Sequence, residues 1–187
     1  MLTVDQALGY NSWPSNFHPN LSPMECIQAG IFGGVYFDAL RPELIDAKEF
    51  PSEWFHNLTP EKYSSHKADP ARNRYKVMAG TYQKEWEANG WIRQEDPRGW
   101  FQWYCRYWLG RRSEDDTRQI ERWVRFANVH RGRFARQLYG RILKAGGPEH
   151  VDDITISPVI RQSLLHWAYQ VNFQDYATWL SSKAQVL

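Results

Sequence analysis

Residues 96–109 read DPRGWFQWYCRYWL and are followed directly by GRRS. Asp96 is a favourable N-cap, because its carboxylate can accept a hydrogen bond from a free amide of the first helical turn. Pro97 suits the first helical position, where a missing N–H is tolerated, and Gly110 suits the left-handed residue that ends a helix. Ser113 is then placed to begin the next helix. The stretch therefore predicts a helix over residues 97–109.

Aromatic side chains surround most of this predicted helix. On a wheel of 3.6 residues per turn, only Gln102 and Arg106 share a clearly polar strip. One face holds four aromatic residues, Trp100, Trp103, Tyr104 and Tyr107. A helix that is apolar nearly all round is usually buried against several neighbours. We therefore expect it to be the central helix of the core.

The composition is that of one globular unit. The chain has 187 residues, of which 42% are hydrophobic and 24% charged, so it can bury a core without disulfides or metal ions. Its 10 Trp, 10 Tyr and 9 Phe are unusual, because buried indole and phenol groups need hydrogen-bond partners. No repeat or change in composition divides the sequence. The prediction is a single domain over residues 1–187, mainly α, a compact multi-helix fold with an irregular N-terminal half and at most a small β element.

The N-terminal half carries one strong helix signal. Ser22-Pro23-Met24-Glu25 combines an N-cap, a first-turn proline and a reciprocal capping-box acid. The pattern predicts a helix that runs to about Ile31 and is ended by Gly33-Gly34. Trp13 and Phe17, which lie before it among turn-forming residues, are expected to pin the first segment to the core.

The signals between this helix and residue 96 are weaker. Residues 35–37 suit either a short strand or an extended linker. One or two helical turns are expected within residues 49–55 and 59–63, because Pro51 and Pro60 suit first-turn positions. Residues 81–87 are expected to form a further helix.

Residues 114–144 form a basic helical region. Three acids after Ser113 predict its start, where the helix dipole favours negative charge. Extending the buried stripe of the first helix through the whole region would place Arg131 in the core, where an unpaired charge is costly. We therefore favour a break near residues 129–132. The stripe consists of Ile120, Trp123, Val124, Ala127, Phe134, Leu138 and Ile142.

The C-terminal part is expected to hold two more helices. Residues 145–148, AGGP, end the basic region, and Ser157-Pro158 begins the next helix. That helix should bury Ile160, Leu164, Trp167 and Val171 and carry a polar side with Gln162, Ser163, His166 and Gln170. A final short helix is expected over residues 175–180.

Cysteine usage and hydropathy favour a reducing, cytoplasmic environment. Cys26 and Cys105 lie in helical patterns and are expected to be free, buried thiols, which is typical of a reducing environment. The first residues lack the basic and apolar regions of a signal peptide, and no stretch has the length of a membrane span. We expect a cytoplasmic protein with no membrane partner. No histidine or cysteine spacing matches a metal site and no cofactor motif is present, so neither a metal nor a cofactor is expected.

Charge is segregated along the chain. Residues 91–144 hold 13 Lys and Arg against 6 Asp and Glu, and 12 of the 13 basic residues are arginine. Guanidinium groups suit planar, bidentate contacts with phosphate or carboxylate. The alternative is a solvated face whose arginines pair with neighbouring acids such as Glu114 and Glu121. The predicted phosphate-binding residues are Arg106, Arg111, Arg112, Arg118, Arg122, Arg125 and Arg131.

Two kinds of catalytic group are weak candidates. His130 and His166 are possible acids or bases, and the spacing of Ser163 and His166 resembles a nucleophile with its base, although a structural hydrogen bond explains it more simply. Asp115 and Asp116 are paired carboxylates, but their place in a first helical turn already accounts for them. The sequence does not decide whether the chain is an enzyme.

Three functions remain open. The first is a polyanion-binding protein, with DNA or RNA as the partner, in which the arginines contact phosphates. The second is an enzyme that acts on a nucleotide, a nucleobase or another phosphorylated small molecule in an aromatic pocket. The third is an interaction module for an acidic protein partner. The sequence leaves the oligomeric state open. The rings predicted to stack on bases or to line a pocket are Trp100, Trp103, Tyr104, Trp108 and Trp123.

Overall fold

The computed structural model describes residues 13–80, 85, 88–90 and 92–184, and its fold is mainly α, as predicted. Within these residues the only β feature is an isolated bridge between Arg93 and Asp96. The prediction of a helix over residues 81–87 lies largely outside the described residues. Six α-helices are described: α1 (Pro23–Ala29), α2 (Trp100–Trp108), α3 (Asp116–Ala127), α4 (Arg133–Ala145), α5 (Pro158–Leu165) and α6 (Phe173–Ala184).

Helix α1 begins with the predicted capping box. The Ser22 hydroxyl accepts a hydrogen bond from the Glu25 amide at 3.2 Å, and the Glu25 carboxylate accepts one from the Ser22 amide at 2.7 Å. The helix ends at Ala29 with Gly30 as its cap, earlier than predicted. Gly30 has a φ of 99°, and a Cβ there would lie 2.2 Å from the Arg72 carbonyl oxygen, so only glycine fits.

Short 3₁₀ turns recur through the irregular N-terminal half. The turns predicted within residues 49–55 and 59–63 are present, whereas residues 35–37 form no strand. Instead the Tyr36 hydroxyl donates to the Arg98 carbonyl at 2.8 Å, and the Phe37 amide donates to the Tyr63 carbonyl at 2.9 Å. The 3₁₀ segments are Phe32–Gly34, Ala47–Glu49, Ser52–Phe55, Pro60–Lys62, Pro70–Arg72 and, later in the chain, Pro148–His150.

Helix α2 is central, as predicted, but it begins later. Its first residue is Trp100 and its N-cap is Gly99, so the predicted cap at Asp96 and first turn at Pro97 are wrong. The Asp96 side chain, 2% exposed, is instead bound by Arg106 at 2.9 Å and by Arg111 at 3.0 Å. Two guanidinium groups compete for the carboxylate more strongly than a backbone amide.

The face of α2 predicted to be polar is also covered. Gln102 is fully buried; its amide group donates to the Leu44 carbonyl at 2.8 Å and accepts from the Arg98 amide at 2.9 Å. The helix ends at Trp108, and Gly110 follows with a φ of 97°, as expected for its role in stopping the helix.

The basic region is divided as predicted. Helix α3 ends at Ala127 and α4 begins at Arg133, while the Asn128 side chain accepts hydrogen bonds from the His130 and Arg131 amides. Arg131 is consequently exposed. The predicted start of α3 at Ser113 is wrong, because the helix begins at Asp116, whose carboxylate is bound by the Ser113 amide and hydroxyl at 3.1 and 2.9 Å.

Aromatic rings join the first described residues to the core, as predicted. Phe17 is fully buried, with its ring centroid 5.8 Å from that of Trp103 and 5.3 Å from that of Trp123. Trp13 packs against Tyr107 at 5.4 Å. Cys26 and Cys105 are free and buried, and burial raises the pKa of both thiols. Among the described residues, no helix is both long and apolar enough to cross a membrane.

Candidate functional site

An apolar cavity of about 430 Å³ lies where α2, α3, α4 and α5 approach the 3₁₀ turn at Phe32. Its size falls within the range of small-molecule sites, roughly 300–1,000 Å³. Gly80 and Ile92 also line it. The cavity is therefore assembled from both halves of the chain.

One wall of the cavity is a continuous stack of aromatic rings. Phe134 and Phe126 are 4.2 Å apart with an interplanar angle of 17°, and Phe126 and Trp167 are 4.6 Å apart at 17°. Trp167 continues the stack to Trp100 at 4.8 Å and 32°. The stack begins at half-exposed rings and reaches the buried α2. Because neighbouring rings cover one another's faces, the stack lines the cavity with ring edges from its mouth into the core.

The opposite wall is formed by Phe32 and His166. Their rings stack with centroids 4.0 Å apart and an interplanar angle of 17°. Phe32 also packs on Tyr36, at 4.5 Å. Phe32 has a φ of 51°, and its amide donates to His166 Nε2 at 3.1 Å, so the histidine holds this turn in place.

Hydrogen bonds determine the tautomer of His166. The Gln162 side-chain oxygen accepts from the Tyr75 amide at 3.1 Å, which places the Gln162 amide nitrogen 3.1 Å from His166 Nε2. Because the Phe32 amide is a donor as well, Nε2 is the acceptor and the hydrogen lies on Nδ1. Nδ1 faces Gly80, 3.8 Å from where a Cβ would lie. Burial lowers the pKa of His166 to about 3, so the ring is neutral and presents an N–H donor.

Arg122 is a half-buried cation in the cavity wall. It donates to the Gln119 side-chain oxygen at 2.9 Å, and its guanidinium lies 5.4 Å from the Trp167 ring centroid. Within the described chain no carboxylate forms an ion pair with it. Burial, reinforced by the charge of Arg118, lowers the pKa of Arg122 to about 10. The guanidinium is charged at neutral pH in an environment that disfavours charge.

Two more arginines line the cavity. The Arg98 guanidinium donates to the Val35 carbonyl at 2.8 Å and lies 5.1 Å from the Tyr36 ring centroid; burial lowers its pKa. Arg133, exposed at the mouth, lies 4.7 Å from the Phe134 centroid. None of the described lining residues is Asp or Glu. The potential inside is therefore positive, and the walls are apolar.

The other predicted phosphate-binding arginines mostly bind other protein groups. Arg106 and Arg111 share Asp96. Arg118 binds Asp115 at 2.7 Å, as expected if the arginines of this face pair with neighbouring acids. Arg112 lies over the Tyr107 ring at 3.9 Å. Arg125 is 3.7 Å from Glu121 in an exposed pair, and Arg131 is exposed. Of the seven predicted residues, only Arg122 lines the cavity.

Most of the rings predicted to meet a ligand are core residues. Trp103, Tyr104 and Trp123 are at most 1% exposed, so they offer no face to a base. Their polar atoms donate to Asp116, to the Leu21 carbonyl and to the Trp167 carbonyl. Trp108 is half-exposed beside Trp13. Only Trp100 of the predicted set lines the cavity.

The candidate catalytic groups do not assemble into one site. His130 is exposed, away from the cavity lining. Asp116 accepts from Trp103 and Ser113; burial of Asp115 raises its pKa, but the hydrogen bonds from Arg118 and Gln119 outweigh this and lower it. Ser163 and His166 both line the cavity, but the Ser163 hydroxyl donates to the Val159 carbonyl at 2.9 Å rather than to the histidine. The prediction that Gln162, Ser163 and His166 form an outer polar side is wrong, since all three are buried.

Sequence reasoning missed Phe32, Arg98, Phe126, Phe134 and Trp167 as parts of one site. A partial signal exists, because Arg122 and Phe126 are four residues apart and therefore share a helix face. Phe32 and Trp167 are far apart in the sequence and come together only through tertiary packing, which no local sequence pattern predicts.

Comparison with protein-family models, with curated proteins and with solved structures finds no match. In the described part of the chain, no group of three or more His, Cys, Asp or Glu is arranged to hold a metal ion. The fold and the cavity thus define a mainly α protein with an aromatic, arginine-walled site.

Proposed function

We propose that this chain binds a small ligand that joins a flat apolar ring to an anionic group, with a nucleotide or another phosphorylated aromatic compound as the class. The observation that carries the proposal is Arg122, a half-buried guanidinium in an aromatic cavity that forms no ion pair with any described carboxylate. A cation held in this way is stabilised when an anion enters.

The ligand's ring would lie against the aromatic wall. Phe126, Trp167 and Trp100 present their rings in one stack, and Phe32 lies opposite. Because the faces of these rings are stacked on one another, the ligand's ring would meet their edges. An edge-to-face contact of two aromatic rings contributes about 0.5–1.5 kcal/mol beyond the area it buries. A phosphate at the mouth would then meet Arg122 and Arg133, whose planar groups suit bidentate contacts with its oxygens.

His166 would add specificity. Its Nδ1–H lies beside Gly80, which lines the cavity, while Nε2 is held by Phe32 and Gln162, so this side of the ring can only donate. A ligand with a carbonyl or ring-nitrogen acceptor on its flat edge would satisfy this donor. A ligand with a donor at that position would leave two hydrogens opposed and bind more weakly.

Isothermal titration calorimetry with a nucleoside monophosphate, the matching nucleoside and inorganic phosphate tests the proposal. We expect the monophosphate to bind, and the other two to bind at least tenfold more weakly, because each lacks one half of the recognised chemistry. Replacing Arg122 by Gln removes a charge-assisted contact and should weaken binding by about tenfold to a hundredfold.

Arg141→Gln is the matched control, since Arg141 is an exposed arginine that donates to Ser157 and lines neither the cavity nor any other surface shared with Arg122. We expect its affinity for the monophosphate to stay within about threefold of the unsubstituted protein. Equal weakening by both substitutions would mean that the overall charge of the protein, and not a specific contact of Arg122, determines the affinity. Absence of heat with every monophosphate base would contradict the proposal.

A further inference from the structure

We propose that the ligand of the cavity is one nucleotide of a single-stranded nucleic acid, and that a basic groove outside the cavity binds the phosphates next to it. This inference rests on the proposed function, because it extends the same site. The basic groove is the surface lined by Arg131, Arg133, Arg136, Gln137, Gly140, Trp179 and Lys183.

The basic groove is continuous with the cavity. Arg133 lines both, and it also lines a shallow cleft with Arg122, Arg125 and Trp167. A chain of cations therefore leads from the half-buried Arg122 to the exposed Lys183. No Asp or Glu is among the described residues that line the cleft or the groove. A polyanion leaving the cavity would meet positive charge at each step.

The cations of the groove form no ion pair with a described carboxylate. Arg106, Arg111 and Arg118 each bind a carboxylate, whereas Arg131, Arg133, Arg136 and Lys183 take part in none of the ion pairs of the described residues. Within the same arginine-rich stretch, acids thus neutralise Arg106, Arg111 and Arg118, whereas the arginines of the groove remain positively charged.

The backbone beside these cations adds to the positive potential. Helix α4 begins at Arg133 without a capping side chain and without an acid in its first turn. Arg133 and Arg136 are three residues apart, so like charges face each other at the positive end of the helix. This arrangement opposes folding of the free chain, and bound phosphates would relieve it.

Two features favour a single strand over a duplex or an acidic protein. The cavity accepts a flat ring only if that ring is unpaired, which excludes a base held in a duplex. Aromatic side chains alternate with the cations, since Phe134 lies under Arg133 at 4.7 Å and Trp179 under Lys183 at 4.9 Å. A purely acidic peptide such as polyglutamate offers charge but no flat ring for the cavity.

Gly140 leaves room for a close approach. It lines the groove in the interior of α4, and a Cβ built there meets no atom within 4 Å. The surface at this point is backbone, so a phosphodiester can come nearer than a side chain would allow.

Fluorescence anisotropy with a labelled oligothymidylate of about ten nucleotides, within the usual site sizes, tests the inference. We expect it to bind at least tenfold more tightly than thymidine monophosphate, with an affinity that falls steeply between about 50 and about 200 mM salt. The Arg136→Gln/Lys183→Gln double variant should lose at least tenfold in oligomer affinity. Its salt slope should shrink by about 1.4, which is 0.7 for each lost contact.

Arg141→Gln is the control for charge, because Arg141 is exposed on the same helix but donates to Ser157 instead of lining the groove. It should leave the oligomer affinity within about threefold. The double variant should also bind the monophosphate normally, since neither residue lines the cavity. Gly140→Leu, which fills the groove without changing charge, should weaken oligomer binding alone.

Three results would overturn the inference. If the monophosphate binds and the oligomer is no tighter, the groove is not used, although the proposed function stands. If the oligomer binds through the groove but is unaffected by Arg122→Gln and the monophosphate does not bind, the proposed function fails and the two surfaces are not one site. If a duplex or a polyglutamate peptide matches the single strand, the partner is a different polyanion.

Discussion

A neutral, fixed histidine is the feature of this site that depends most on single residues. His166 is 5% exposed, and its Nε2 accepts from Phe32 and lies against the Gln162 amide, with no described acid acting on it. Protonation would place a charge in an apolar wall and would set Nε2–H against two donors. The pKa of about 3 follows from that burial. The residue thus acts as a hydrogen-bond donor, and not as a base, at neutral pH.

The folded protein should lose stability in acid through His166. Its pKa falls from about 6.5 in the unfolded chain to about 3 in the folded one, so below pH 6.5 the unfolded state binds the extra proton. The free energy of unfolding should drop by about 2 kcal/mol between pH 7 and pH 5 from this group alone. His166→Gln, which keeps an acceptor but does not titrate, should lack that component. Urea unfolding of both proteins at the two pH values measures the difference, and equal losses would contradict it.

The sequence pattern around α5 explains why the burial of Gln162, Ser163 and His166 was not predicted. Its periodicity correctly predicted that Ile160 and Leu164 are buried, but it assigned Gln162, Ser163 and His166 to an outer side. Those residues are covered by segments more than 80 positions earlier in the chain, Phe32 and Tyr75 among them. Hydrophobic periodicity identifies the apolar face of a helix. It does not show whether distant segments of the chain also cover the opposite face.

At the scale of elements, helix starts and stops were predicted best where the signal was local. The Ser22 capping box and the break before Arg133 both depend on residues within one or two turns. The predicted start of α2 is wrong because the Asp96 carboxylate is bound by Arg106 and Arg111, which lie outside its own turn. Capping residues are reliable only when no long-range charge competes for them.

Two glycines of the basic region should respond in opposite ways to alanine. A Cβ at Gly140 meets nothing within 4 Å, so Gly140→Ala removes only the conformational freedom of glycine in a helix and should raise the free energy of unfolding by about 1 kcal/mol. A Cβ at Gly132 would lie 2.5 Å from the Asn128 nitrogen and oxygen, so Gly132→Ala should destabilise the protein. Urea midpoints compare the two, and a fall in the midpoint of Gly140→Ala would refute this assignment.

For the whole molecule, the sequence predicted the helical class and the central position of α2, because its aromatic content left few other arrangements. It did not predict the cavity. The cavity needs Phe32 from the N-terminal half, Trp100 from α2 and His166 from the end of α5, which are brought together by tertiary packing. Charge segregation was visible in the sequence, but the division into neutralised and unneutralised arginines follows only from which acids the fold brings near.

Phe17 should contribute strongly to the attachment of the first described residues to the helices. Phe17 is fully buried between Trp103 and Trp123, so Phe17→Ala leaves a cavity among rigid rings that cannot close around it. We expect a loss of about 3–5 kcal/mol in the free energy of unfolding. Phe173→Ala is the matched control, because that ring is 61% exposed, and its substitution should cost less than about 1 kcal/mol. Chemical denaturation of both variants measures the contrast. A similar small loss in both would mean that the helices fold without the ring, and that the cavity wall at Phe32 is held by the bonds of His166 and Gln162 instead.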